Sequence, residues 1–262
     1  MIRPTLTSRI LRITGLALSL ATLVPWVTFA QSAEAPKKEI SDSVSQSLAK
    51  IQELTDAKQW DETLTLLNSQ LATAEPESYD TMVLSQIKIQ VLLTKELYAE
   101  AIPPMETVLR MGTAYDFLDQ KRFLEFNQIL SQLYFQEATD IKGTSPAEVQ
   151  KKTDYLTKAY QTIKVYLASN ENPTEDSLSY AATMIYTQAT MDESKTDMAM
   201  MSEAREIAEK GILMSLKPRE SFYVLILAAL QQDAKNVEAA EVLELLVRQN
   251  PTNKQYWQQL RE

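Results

Sequence analysis

The sequence predicts an all-α chain of antiparallel helix pairs stacked into an α-solenoid, and three observations carry that expectation. From Ser43 onward apolar residues recur at helical spacing and almost nowhere alternate with period two. Glycine numbers only four in 262 residues, which leaves little for phosphate-cradling loops or tight hairpin turns. Pro76, Pro173, Pro218 and Pro251 each close one long helical pattern and precede another, as proline does between helices.

Residues 1–30 read as an export signal and not as part of the fold. Arg3, Arg9 and Arg12 form a positive region, and Ile13 to Val24 is an uncharged, largely apolar run. Pro25 breaks it, and Thr28-Phe29-Ala30 places small residues where a signal peptidase reads, so cleavage is expected between Ala30 and Gln31. An uncleaved anchor is the competing reading, but a spanning helix wants about 20 apolar residues. No second run is long enough to span a membrane, so no stable span is expected after cleavage. Residues 31–42 follow as a polar linker without pattern, and the helical domain is expected over residues 43–262.

Composition removes several function classes. There is no histidine and no cysteine, so the commonest general base, the usual zinc ligands, thiol nucleophiles and disulfides are all missing. The chain carries 26 basic and 35 acidic residues. Without the three signal arginines the balance is 23 against 35, or −12, which opposes nucleic acid and anionic membranes at long range. No catalytic residue, metal or cofactor is expected.

A small residue recurs at Thr63, Ala101, Ala159, Ala204 and Ala239, each followed four and seven or eight residues later by apolar positions. The intervals are 38, 58, 45 and 35 residues, a degenerate repeat with insertions. The pattern resembles the tetratricopeptide repeat family, which sets an aromatic and a Leu on helix A, a small residue where helix B crosses it, and a closing proline. Tyr223, Ile226, Leu227, Ala239, Leu243, Leu246 and Pro251 fall in step, and Trp257 and Leu260 stand at the start of a further unit. Ile51 and Ile89 depart from the pattern where a small residue is usual. The resemblance implies a right-handed solenoid with units near 43–76, 78–111, 114–173, 174–218 and 219–251, and the start of another at 252–262. A helical bundle with coincidental spacing is the alternative.

Other features each have a plainer reading. Six methionines (Met184, Met191, Met198, Met200, Met201, Met214) lie within 31 residues, and thioethers suit Cu(I). With no His or Cys to complete a site, gap-filling packing is the better account. Asp61-Glu62, Asp192-Glu193 and Glu203-Glu206 pair acids, but at helix starts or on polar faces, where acids favour the macrodipole and solubility. Pro103-Pro104 is expected in a first turn. Tyr115, Phe117, Phe123, Phe126 and Tyr134 have spacings compatible with one broad helix face. Ser145-Pro146-Ala147-Glu148 reads as a capping box.

The run KPRESFYVLILAALQQDAKNVEAAEVLELLVRQNPTNKQYWQQL resembles, more narrowly, the periplasmic tetratricopeptide proteins associated with TonB energy-transducing systems of Gram-negative bacteria. Asn236 departs from that group's usual aromatic, which is expected to loosen the local turn. The resemblance implies a non-enzymatic periplasmic scaffold for protein partners, among them TonB, ExbB or ExbD. The alternatives are a general cell-envelope biogenesis adaptor and a helical carbohydrate- or peptidoglycan-active enzyme.

Overall fold

The computed structural model describes residues 36–191 and 195–261. The expected signal and its cleavage point, residues 31–35 of the linker, and the acidic pair Asp192-Glu193 lie outside the described residues. Eleven helices are found among them, in two compact bodies divided between Ser169 and Asn170. The first body holds α1 (Asp42–Asp56), α2 (Trp60–Thr73), α3 (Tyr79–Thr94), α4 (Tyr98–Tyr115), α5 (Gln120–Asp140) and α6 (Pro146–Ser169). The second holds α7 (Glu175–Ala189), α8 (Met198–Leu213), α9 (Glu220–Gln232), α10 (Asn236–Gln249) and α11 (Lys254–Gln259). Within each body every helix packs on the next in order, as consecutive helix pairs.

The first helix of four pairs starts at a side-chain cap, while α9 follows Arg219 without one. Ser41, Ser78, Asp119 and Thr174 each accept a backbone N–H from the first turn of α1, α3, α5 and α7, satisfying a donor the helix leaves open. Ser145 and Glu148 form the reciprocal box at the start of α6: the Glu148 amide donates to Ser145 Oγ at 3.4 Å and the Ser145 amide to Glu148 Oε2 at 3.2 Å.

The second helix of three pairs starts differently. Gln59, Leu97 and Lys235 precede α2, α4 and α10 without any side-chain cap. Instead one turn geometry recurs. Lys58, Glu96 and Ala234 stand left-handed at φ 57°, 59° and 54°. The following amide bonds back across the turn, Gln59 to Leu54, Leu97 to Leu92 and Lys235 to Leu230, each at 2.9 Å. This is the Schellman ending, usually made with glycine. Five residues beyond each left-handed residue comes the small residue of the next helix: Thr63, Ala101 and Ala239. The turn before α10 keeps the same dihedrals although Asn236 replaces the aromatics Trp60 and Tyr98, so the expected loosening is absent.

All five small residues, Ala159 and Ala204 included, lie on the second helix of a pair and are at most 5% exposed. The residue four further on (Leu67, Met105, Ile163, Ala208, Leu243) is buried in every case. A minimal side chain at the crossing brings the two backbones together, and the larger neighbour fills the groove beside it. Thr63 buries a hydroxyl there and satisfies it by donating to the Gln59 carbonyl at 2.7 Å. In α1–α3 the resulting core runs through Val44, Ile51, Leu67, Leu84 and Val91, with Trp60 and Leu64 packed against it.

Two sequence expectations are corrected. Pro103 and Pro104 lie inside α4, at its sixth and seventh positions counted from Tyr98, and not in a first turn. The carbonyls they leave without a helical donor belong to Ala99 and Glu100, both exposed, so water can serve them. The aromatics from Tyr115 to Tyr134 do not share one helix face either. Tyr115 ends α4 and Phe117 lies in the connection, where its ring packs edge-on to Tyr79 at 5.1 Å; Phe123, Phe126 and Tyr134 belong to α5.

At Gly211 α8 lies so near α9 that a Cβ there would stand 2.2 Å from the Phe222 ring, which is wholly buried. Gly211→Ala is therefore expected to lower stability by about 1–3 kcal/mol. Ala234→Gly, which relieves a left-handed alanine, should raise it by about 1 kcal/mol. Urea unfolding midpoints at unchanged slope check both.

Candidate interaction surface

The second body combines polar fastenings with bare apolar side chains. The connection from α8 to α9 (residues 214–219) meets the last turn of α10, where the Gln249 amide donates to the Pro218 carbonyl at 3.5 Å. One residue beyond the connection, Glu220 accepts the Tyr256 hydroxyl of α11 at 2.5 Å. Arg219 turns the other way, its amide donating to Glu175 Oε1 at 3.2 Å and its guanidinium pairing with Asp176. The starts of α7, α9 and α11 are thus tied together by side chains at the connection.

Beside these ties stand Leu213, Met214 and Leu216 at 86%, 51% and 108% exposed. Leu245 lies one turn before Gln249 on the same side of α10 and is exposed as well. Leu213, Met214, Leu216 and Leu245 are thus large apolar side chains left in water at the end of α8, in the connection and on α10. Exposed apolar side chains beside a fastened core are candidates for cover by a partner. Leu213 and Leu216 stand in the largely apolar run from Ile212 to Leu216, where sequence spacing alone does not mark them as exposed.

The signature positions fall as follows. Ala101, Ala159, Ala204 and Ala239 are the buried crossing residues described above; Leu227 and Leu243 are core, and Tyr223 is half-buried on α9. Pro251 is exposed just after α10. Trp257 is 43% exposed, its indole donating to the Pro251 carbonyl at 2.9 Å, while the neighbouring Tyr256 is the buried aromatic of α11 and Leu260 is half-buried. Of the methionines, Met184 and Met201 are buried, Met200 is half-buried against the Ala189–Met201–Ala229 core, and Met191, Met198 and Met214 are exposed. Burial thus divides the six between core and solvent. Asp61 opens α2 and pairs with Lys95, and Glu203 and Glu206 ride on α8. Among the described residues no three His, Cys, Asp or Glu side chains gather to hold a metal ion, and no helix is long and apolar enough to cross a membrane.

The first body has a different cluster. Glu106 of α4 accepts the Tyr134 hydroxyl of α5 and the Lys158 ammonium of α6, the latter at 2.9 Å. Lys158 also sits 5.2 Å over the Tyr134 ring, and Tyr155 stacks beside Tyr134 at 6.1 Å with Lys151 above it. Burial alone would raise the Glu106 carboxyl, but the hydrogen bonds from Tyr134 and Lys158 outweigh it and hold the acid below its ordinary value. Burial first, and the facing carboxylate second, push the Tyr134 phenol upward. Each group is satisfied by the others, so the cluster fastens three helices together. Glu77 does the same between the α2–α3 connection and α4, in a two-pronged pair with Arg110 at 2.5 and 2.6 Å.

No family model matches the chain, and no curated protein does. Among solved structures it is similar to TPR-like repeats of a kinesin light chain from Podosopora anserina, at 16% identity over 80% of this chain and 97% of that one, TM-score 0.43. A variant of those repeats aligns at 16% identity over 78% and 92%, TM-score 0.42. A complex of Naa15 and Naa10 bound to HypK aligns at 14% identity over 83% of this chain and 39% of that one, TM-score 0.31.

The Glu106 cluster predicts the pH dependence of folding. A depressed carboxyl stabilises the fold fully above pH 4.5 and loses that contribution as pH falls further. A raised phenol stabilises below pH 10 and loses its contribution as pH climbs beyond it. Glu106→Gln is expected to flatten the acid limb, and Tyr134→Phe the alkaline limb, of unfolding midpoints measured from pH 3 to 11.

Proposed function

We propose that this chain is a non-enzymatic scaffold of the periplasm that holds protein partners, as an accessory of TonB-dependent uptake contacting TonB, ExbB or ExbD. The observation that carries the scaffold reading is the set of bare apolar side chains Leu213, Met214, Leu216 and Leu245. Large side chains left in water beside a well-fastened core are what a partner would cover, and such residues dominate binding energy when buried at an interface.

Two further points support the narrower reading. The run from Lys217 to Leu260 that resembles the TonB-associated proteins includes residues that touch one another: Pro218 with Gln249, and Glu220 with Tyr256. The run therefore holds together through contacts within itself. The arginine-led apolar run before Gln31 supports passage across the inner membrane.

The reading expects the chain to be recovered from the periplasm with Gln31 as its first residue, read by intact mass. Photocrosslinkers placed at Leu213 and Leu216 in living cells should capture an envelope protein, with TonB, ExbB or ExbD identified by mass. Deletion should slow TonB-dependent uptake. Uptake at the parental rate with no such adduct would sink the TonB role, and a cytoplasmic chain with its N-terminus intact would sink the location.

A further inference from the structure

We propose that Met214 is an oxidant-reactive modification site, and that its sulfoxide turns the bare apolar run from Leu213 to Leu216 polar. The chain has ten methionines and no cysteine. Thioethers are therefore the only sulfur that an oxidant of the hydroperoxide class can meet here, and methionine sulfoxide is the product it forms.

Burial sorts the sulfurs. Met82, Met105, Met111 and Met184 are wholly buried, and Met201 is 1% exposed. Their side chains meet peroxide only when the fold opens, which it does in a small fraction of molecules. Met191, Met198 and Met214 are 37%, 43% and 51% exposed. These three are reached without any opening. Surroundings separate them further. Met191 follows Thr190, and Met198 stands between Asp197 and Ala199 at the first position of α8. Met214 closes the other end of α8, directly after Leu213 and two residues before Leu216, both more exposed than Met214 itself. Of the three, Met214 alone sits within a run of bare leucines.

The reaction asks nothing else of the chain. The thioether sulfur attacks one oxygen of hydrogen peroxide as the O–O bond breaks. That oxygen stays on sulfur, the other leaves as water once the protons are redistributed, and the two electrons given up by sulfur reduce the peroxide. A flexible apolar side chain becomes a polar one. The fold is not called on to change, because Met214 fills no core position and its amide keeps its bond to the Gly211 carbonyl at 3.2 Å. The connection that follows stays tied to α10 through Gln249 and to α7 through Arg219. On the scaffold reading above, a partner covering Leu213 and Leu216 would have to bury the new S–O group with them, at a cost where no donor meets it. Oxidation thus weakens apolar contact at this run while leaving the helices intact.

The test uses the full mature chain and hydrogen peroxide. Peptide mass mapping after brief treatment of the native protein should find sulfoxide at Met198 and Met214 about tenfold or more ahead of Met184 and Met201. In guanidinium chloride all four should react at similar rates. The oxidised native chain should leave a phenyl hydrophobic-interaction column earlier than the untreated chain. Met214→Leu should remove most of that shift and Met198→Leu little of it, while Met214→Gln should elute early with no oxidant at all. Both positions are exposed, and unchanged circular dichroism and unfolding midpoint would show that the variants and the oxidised chain stay folded. Sulfoxide forming at Met214 no faster than at Met184, an unchanged retention time, a shift carried as much by Met198 as by Met214, or loss of the native circular dichroism on oxidation would each overturn the inference. No partner enters these measurements, so an absence of crosslinks from Leu213 and Leu216 would remove the scaffold reading and leave the Met214 site standing.

Discussion

The close crossing of paired helices at one small buried residue is the contact on which the remainder of each body depends. Ala101 or Ala239 can lie at a helix–helix crossing only if the chain reverses within three residues and returns in one register. The left-handed residue at Glu96 or Ala234 supplies that reversal, and the amide that bonds five residues back locks it. An L-residue in this conformation is strained by roughly 1–2 kcal/mol. The burial of Met105, Val108, Leu243 and Leu246 that the turn makes available offsets that cost several times over at about 1.5–3 kcal/mol for each side chain. Packing therefore holds the turn, and the turn sets the packing.

Polar contacts do a separate job. Ion pairs and hydrogen bonds such as Glu77–Arg110 and Glu220–Tyr256 join elements at helix ends, and Glu106–Lys158 joins α4 to α6 along their length. Being partly in water they contribute modestly to stability, but they are directional, and apolar packing is not. They fix which turn of one helix faces which turn of the next. At the α8–α9 connection the same fastenings hold the backbone in place while Leu213, Met214 and Leu216 stay in solvent. A held loop with bare apolar side chains loses little freedom when a partner covers it, which lowers the entropic cost of binding.

Much of this was legible in the amino-acid order. The box at Ser145 and Glu148 and the small residues from Thr63 to Ala239 act locally or at a recurring spacing, so a linear reading finds them. The recurring turn escaped because its signature is conformational: glycine would have announced it, but Lys58, Glu96 and Ala234 stand there. Pro103 and Pro104 misled for a related reason. Proline marks a helix start by propensity, whereas α4 begins at Tyr98 because the turn ends there. Trp257 and Tyr256 illustrate the same limit, since both suit an aromatic position and only the presence of Glu220 opposite Tyr256 decides which one is buried.

The sequence by itself determined the helical class, the pairing period, the absence of thiol and imidazole chemistry and the acidic character, because each follows from composition or from contacts between near neighbours. Tertiary structure alone decided which surface is left for a partner. The hydrogen bond between Gln249 and Pro218, 31 positions apart, ties the α8–α9 connection to α10 while Leu213, Met214 and Leu216 stay in water. That is a relation between residues far apart in the chain, and no local preference encodes it.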